Sequence, residues 1–228
     1  MAVEQSFPFS VADSAAFPFG SGSSNLQGVD DHATDNDGPL LSRKEIAGCV
    51  AFATLVTIAG MVVVTPIAAL ATGILALLMS LVTLTDLHHF IIPDVLSLPA
   101  VPLGIIANTA VFHGDDWVAG LNESVLGAIL AAGTFYLLRA LWFRMRGIEG
   151  LGLGDVKLAA VAGAWLGPGL LAPACLASAL SGLVAALVMA LLPGRRVAMS
   201  DELPFGSFIA PMIIVFWGWR VLDGNSLW

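Results

Sequence analysis

Seven acid-free stretches, most of them about 20 residues long, follow one another between residues 46 and 222, a series that no soluble fold is built on. They occupy 46–64, 67–85, 95–112, 124–143, 156–171, 172–192 and 204–222, and each carries at most one base. At 1.5 Å per residue, a helix of about 20 residues matches the roughly 30 Å hydrocarbon core of a bilayer. The expected fold class is therefore all-α, a polytopic transmembrane bundle with seven candidate helices, or six if one of them fails to span. The fifth stretch is the weakest, because Gly167-Pro168-Gly169 interrupts it, and it reads as a short or broken span. Composition agrees: 57% of residues are hydrophobic and 11% charged, where a soluble domain carries about a quarter charged residues.

A formal net charge of −8 excludes a basic nucleic-acid binder, so the expected surroundings are the lipid bilayer, with no nucleic acid. The acidity is not spread along the chain. Residues 1–42 hold Glu4, Asp13, Asp30, Asp31, Asp35 and Asp37 and no Lys or Arg, which leaves residues 43–228 nearly neutral. The first 42 residues are rich in Ser, Asp, Gly, Ala and Pro, lack apolar periodicity, and read as a disordered acidic tail ahead of a transmembrane domain at 43–228. They have neither the basic start nor the apolar core of a signal peptide. Phe7-Pro8-Phe9 is echoed by Phe17-Pro18-Phe19; a docking motif is one reading, chance in a Pro-containing tail the simpler one. Two cysteines, Cys49 and Cys175, each inside an apolar run, build neither a disulfide framework nor a metal site and read as small buried residues.

The bases set an orientation. With the tail on the cytoplasmic side, Arg43, Lys44, Arg139, Arg144, Arg146, Lys157, Arg195 and Arg196 all fall inside and only Arg220 falls outside, as the positive-inside rule requires. Trp117, Trp142, Trp165, Trp217 and Trp219 fall near helix ends and are expected at the membrane interfaces.

Three inward loops then stand out. The first, from Thr85 through Asp86, His88, His89, Ile92 and Pro93 to Asp94, puts one acid at a helix end and another just after a proline. A second is Gly-rich, includes Glu149, and ends in Gly152-Leu153-Gly154-Asp155-Val156-Lys157-Leu158, while the third carries Asp201 and Glu202 before Pro204-Phe205-Gly206-Ser207-Phe208. A carboxylate at that depth is costly unless paired or hydrated, which makes it a functional candidate. Two facing carboxylates share a proton, so one can activate water while the other protonates a peptide carbonyl. Glycines beside them admit an extended substrate backbone. A plainer reading remains: Asp155 as a helix-opening acid favoured by the helix dipole, Asp86 and Asp94 as interface markers, and His88 and His89 as solvated interfacial residues.

Asp86 with Ile92-Pro93-Asp94, then Gly152 to Leu158 with Gly163-Ala164-Trp165-Leu166-Gly167, then Pro204 to Phe208, in this order and spacing, resembles the type IV prepilin peptidase family. These are GxGD-type intramembrane aspartyl proteases, more distantly related to archaeal preflagellin peptidases, and the resemblance covers roughly residues 67–222. It implies Asp86 and Asp155 as the catalytic pair, Gly152 and Gly154 as the motif that receives substrate, and site-lining roles for Asp94, Lys157 and the 204–208 segment. No cofactor and no metal are implied. The implied substrates are prepilins or pseudopilins, whose short basic leader is cut on the cytoplasmic side of the bacterial inner membrane, with Asp94, Glu149, Asp201 and Glu202 offsetting repulsion from nearby arginines. Pilus or secretion machinery would be the tail's contact. Longer family members carry a cysteine-tetrad zinc domain associated with methylation; only Thr65-Pro66 separate the first two helices here and no Cys-x-x-Cys occurs, so peptidase activity alone is expected. From the helix dipoles, Asp86 after a helix C-terminus is expected as the acid and Asp155 at an N-terminus as the base. The alternatives are a small proton-coupled transporter and a non-catalytic pilus or secretion assembly factor.

Overall fold

The structure, a computed structural model, describes residues 40–147, 151–191 and 205–224. Six helices account for nearly all of them: α1 (Arg43–Val63), α2 (Pro66–His89), α3 (Asp94–Asn108) with a π-helical turn (Thr109–His113), α4 (Trp117–Arg146), α5 (Leu153–Leu191) and α6 (Gly206–Asp223). All six, counting α3 with its π turn, are long and apolar enough to cross a membrane, and the chain is a multi-pass membrane protein. Residues 1–39, and with them both Phe-Pro-Phe segments, lie outside the described residues, as do Glu149, Arg195, Arg196, Asp201 and Glu202.

Short polar signals start the helices. The Ser42 hydroxyl accepts from the Glu45 N–H at 3.3 Å while the Glu45 carboxylate accepts from the Ser42 N–H at 2.7 Å, a reciprocal cap that opens α1 one residue past the expected tail boundary. Thr65 caps α2 through the Ala68 N–H, and Pro66 takes the first helical position, where no N–H is needed. Asp116 accepts from the Ala119 N–H at 3.0 Å and starts α4 seven residues before the apolar stretch does. The core is formed by α2, α3, the first part of α5 and α6, with Leu75, Met79, Val82, Leu158, Val161 and Ile213 fully buried.

All seven expected apolar segments are helical, the fifth and sixth being two arms of α5 that meet at a break. The fifth and sixth apolar stretches join without a polar loop into one 39-residue element. A straight helix of that length would measure about 58 Å, nearly twice a hydrocarbon core. Instead the backbone breaks at Gly167, with φ 71° and ψ 175°, a conformation only glycine adopts cheaply, directly before Pro168. Phe208, at the start of α6, lies 3.5 Å from where a Gly182 Cβ would sit, so the second arm returns to the end of the bundle where the first began. The interruption read from Gly167-Pro168-Gly169 is thus a reversal made by the backbone rather than by a loop.

A buried ionic cluster holds that reversal. Arg220, 4% exposed, donates through Nη1 to the Leu166 carbonyl at 3.1 Å, one of those the break leaves without a helical partner. Its Nη2 pairs with Glu123 at 3.1 Å, its guanidinium lies 4.0 Å over the Phe112 ring, and His113 Nε2 reaches the other Glu123 oxygen at 2.9 Å. Arg220, the one base among the described residues at that end of the bundle, is thus consumed by packing. Arg220→Met is expected to destabilise the protein by roughly 3 kcal/mol, the low end for breaking a buried pair, since Glu123 keeps some water; thermal melting in detergent checks this.

Two of the five tryptophans expected at the interfaces are not there. Trp165 and Trp217 are fully buried, packed edge to face at 5.0 Å, and each indole N–H has a partner: the Ala100 carbonyl for Trp165 and the Thr72 hydroxyl for Trp217, both at 2.9 Å. They stand near helix ends by sequence but face the core. Trp117, Trp142 and Trp219 are exposed as expected. Cys49 is buried and Cys175 half-buried.

Candidate active site

Asp86 lies in the last turn of α2 rather than after it, because the helix continues through His88 and His89. Phe90 ends it in the left-handed conformation (φ 53°), its N–H donating to the Asp86 carbonyl at 2.9 Å. The chain then reverses through Ile91, Ile92 and Pro93 into α3. The Asp86 side chain is 5% exposed, and its Oδ2 accepts the Ser207 backbone N–H at 2.6 Å. That amide belongs to the first turn of α6, so Asp86 sits at the positive end of α6 as well as the negative end of α2. With opposing helix ends acting on Asp86, the dipoles do not single it out as the acid.

Asp155 lies in the first turn of α5 and is half-buried. The Gly152 N–H donates to its carboxylate, the arrangement of an acid reaching back to cap its own helix. Asp86 and Asp155, 69 positions apart in sequence, stand close enough for their charges to act on one another. Gly152 is exposed beside them, and Gly154 is half-buried against Ile92.

Asp94 and Lys157 are brought to the same end but are occupied with each other. Asp94 opens α3, and its carboxylate accepts from Lys157 Nζ at 2.5 Å. With side chains 58% and 36% exposed, this pair fastens α3 to α5 only lightly. Asp94→Ala is expected to cost under about 1 kcal/mol of stability, measured by thermal melting. His88 and His89 are exposed, as read, but not idle. His89 Nε2 donates to the Leu40 carbonyl at 2.8 Å and His88 Nε2 lies 3.5 Å from Glu45, so both tie the start of α1 to the end of α2.

The 204–208 segment does more than line the site or pack against it. Among its described residues, Ser207 supplies the hydrogen bond to Asp86, and Gly206 passes so close that a Cβ there would lie 2.9 Å from Asp86 Oδ2. Ile92, to which the sequence assigns no role, touches both Gly154 and Gly206. Beside the site, Arg139 donates to the Leu151 carbonyl, Phe135 stacks on Phe205, and a cavity of about 280 Å³ is lined by Tyr136, Arg139, Ala140 and Phe143. Among the described residues, no three His, Cys, Asp or Glu side chains converge as metal ligands.

The model of the Type IV leader peptidase family matches residues 70–187, a span that contains Asp86, Ile92, Asp94 and the 152–158 motif. The chain belongs to that family. Its relatives include proteins named prepilin leader peptidase/N-methyltransferase. The one from Neisseria gonorrhoeae is 37% identical over 154 residues, which is 67% of this chain and 48% of the relative. Those from Xanthomonas campestris pv. campestris and Pseudomonas aeruginosa are 33% and 36% identical over 61% and 60% of this chain, and over 47% and 45% of their own lengths. The chain thus spans about half the length of the curated relatives it matches. No solved structure matches it.

Proposed function

We propose that this leader-peptidase family member is a membrane-embedded aspartyl endopeptidase that removes the leader from prepilins or pseudopilins, with Asp86 and Asp155 as its catalytic pair. The observation that carries the reading is the convergence of these two carboxylates, from distant parts of the chain, at one end of the bundle beside exposed glycine backbone. Asp155, the more exposed, takes a proton from water, and the water oxygen bonds to the scissile carbonyl carbon. Asp86, with Oδ2 held by the Ser207 amide, carries the shared proton on Oδ1 and passes it to the carbonyl oxygen, giving a tetrahedral diol. In the second step Asp155 gives its proton to the leaving nitrogen while Asp86 takes one from a diol hydroxyl, the C–N bond breaks to release a carboxylic acid and an amine, and one proton again remains on the pair.

The site end is read as cytoplasmic, in the bacterial inner membrane. Arg43, Lys44, Arg139, Arg144, Arg146 and Lys157 gather at that end, and the one described base at the other end, Arg220, is buried in its ion pair. Asp94 and Lys157, paired across the site mouth, line the approach of a basic leader, Asp94 by attraction and Lys157 by holding it in place. Gly152 and Gly154 admit the substrate backbone at the scissile bond. Co-expression with a prepilin, following loss of the leader by mobility shift, tests the activity: processing supports the reading, and an unprocessed prepilin beside abundant membrane-inserted protein overturns it.

A further inference from the structure

We infer that Ile92 is the spacer that sets the separation of Asp86 and Asp155, a positioning residue for the pair; the inference rests on the catalytic reading of those two side chains. Ile92 sits in the short link between α2 and α3, where apolar residues have little reason to be buried. Its neighbours follow that expectation, Phe90, Ile91 and Val95 all being more than half exposed, but Ile92 is 8% exposed and joins the core.

What it is buried against gives the role. A Cβ at Gly154 would lie 3.1 Å from Ile92 Cβ and 3.2 Å from its Cδ1, and a Cβ at Gly206 would lie 2.8 Å from that same Cδ1. The Ile92 side chain therefore rests on bare backbone on two sides. Gly154 immediately precedes Asp155 in α5, and Gly206 immediately precedes Ser207, whose N–H holds the Asp86 carboxylate. One side chain thus touches the segments that carry each member of the pair. Because both contacts are with backbone rather than rotatable side chains, a change in Ile92 volume must move the chain carrying Asp155, the chain gripping Asp86, or both. Ile92 itself has no group to offer to the chemistry.

The decisive experiment has an activity arm and a geometry arm, both on the full chain in vesicles. In the first, a prepilin with an intact leader is the substrate. Ile92→Ala is expected to lower kcat about 10- to 100-fold, the scale of a misplacement near 1 Å, with KM little changed. Ile92→Val should lose a few-fold, and Ile92→Leu, which conserves volume, should recover most of the rate. A merely structural role would reduce the amount of folded protein and leave kcat per folded molecule alone; that result overturns the inference, and Ile92→Val decides it if the alanine variant does not insert. In the second arm, Asp86→Cys and Asp155→Cys are combined in a Cys49→Ala, Cys175→Ala background, and the rate of copper-phenanthroline disulfide formation is followed. Ile92→Ala should change that rate several-fold and Ile92→Leu restore it. An unchanged rate overturns the spacer whether or not prepilin is cut, whereas a changed rate with no cleavage by the native sequence would leave the spacer standing and remove the peptidase reading.

Discussion

Leader removal is expected to cease in both Asp86→Asn and Asp155→Asn, with each variant still reaching the membrane in normal amount. The two halves of that expectation have separate causes. Asn occupies the same volume, and its side-chain oxygen still accepts the Ser207 N–H at position 86 and the Gly152 N–H at position 155, so neither local structure loses its hydrogen bond. What Asn cannot do is hold and release a proton at these positions. Loss of a positioned acid or base typically costs about 10²- to 10⁴-fold, and a pair sharing one proton acts as a unit, so the double variant should be no worse than either single one. The measurement is the processed fraction of a co-expressed prepilin, with membrane abundance followed by immunoblot. Native processing by either variant would remove that aspartate from the mechanism.

Much of this architecture is legible in the sequence because a bilayer reduces folding to length and polarity. Acid-free stretches of the right length locate α1 to α4 and α6 to within a few residues, the larger errors falling where a polar cap such as Asp116 starts the helix early. Reversal at Gly167 is legible from the interruption and from bases on one side of both stretches, but the cluster that holds it is not, since Arg220 and Glu123 come from other helices. The buried positions of Trp165 and Trp217 depend on which way a helix faces, and the apolar residues of a membrane helix mark that face poorly when both lipid and core are apolar. Asp86 and Asp155 were visible as acids at helix ends. Ser207 and Ile92 were not: a backbone amide and an aliphatic side chain carry no signal of their own, and their roles arise only once α6 is set against α2 and the start of α5.

Gly163→Leu is expected to cost the fold at least about 3 kcal/mol, the upper end of what overpacking a core costs. Gly127 of α4 and Gly163 of α5 face each other so closely that a Cβ on either one would fall on the carbonyl of the other. Packing of this kind, backbone on backbone between small residues, joins helices where lipid offers no hydrophobic drive for association. No side chain at the crossing can rotate aside, so α4 and the first arm of α5 must part. Their parting would be felt at both ends. Four residues along the same contact, Gly167 lies against Glu123, so the Arg220 cluster would open; eight residues the other way, in the first turn of the arm, stands Asp155. Gly133→Leu, also in α4 but with nothing within 4 Å of its Cβ position, is the control and should be neutral or slightly stabilising through helix propensity. Thermal melting of both variants in detergent makes the comparison, and equal melting would contradict the close crossing. Gly163→Ala probes the link to chemistry: if it still folds, the displaced arm should cost it more in cleavage rate than in abundance, because stability reads the crossing and activity reads where Asp155 ends up.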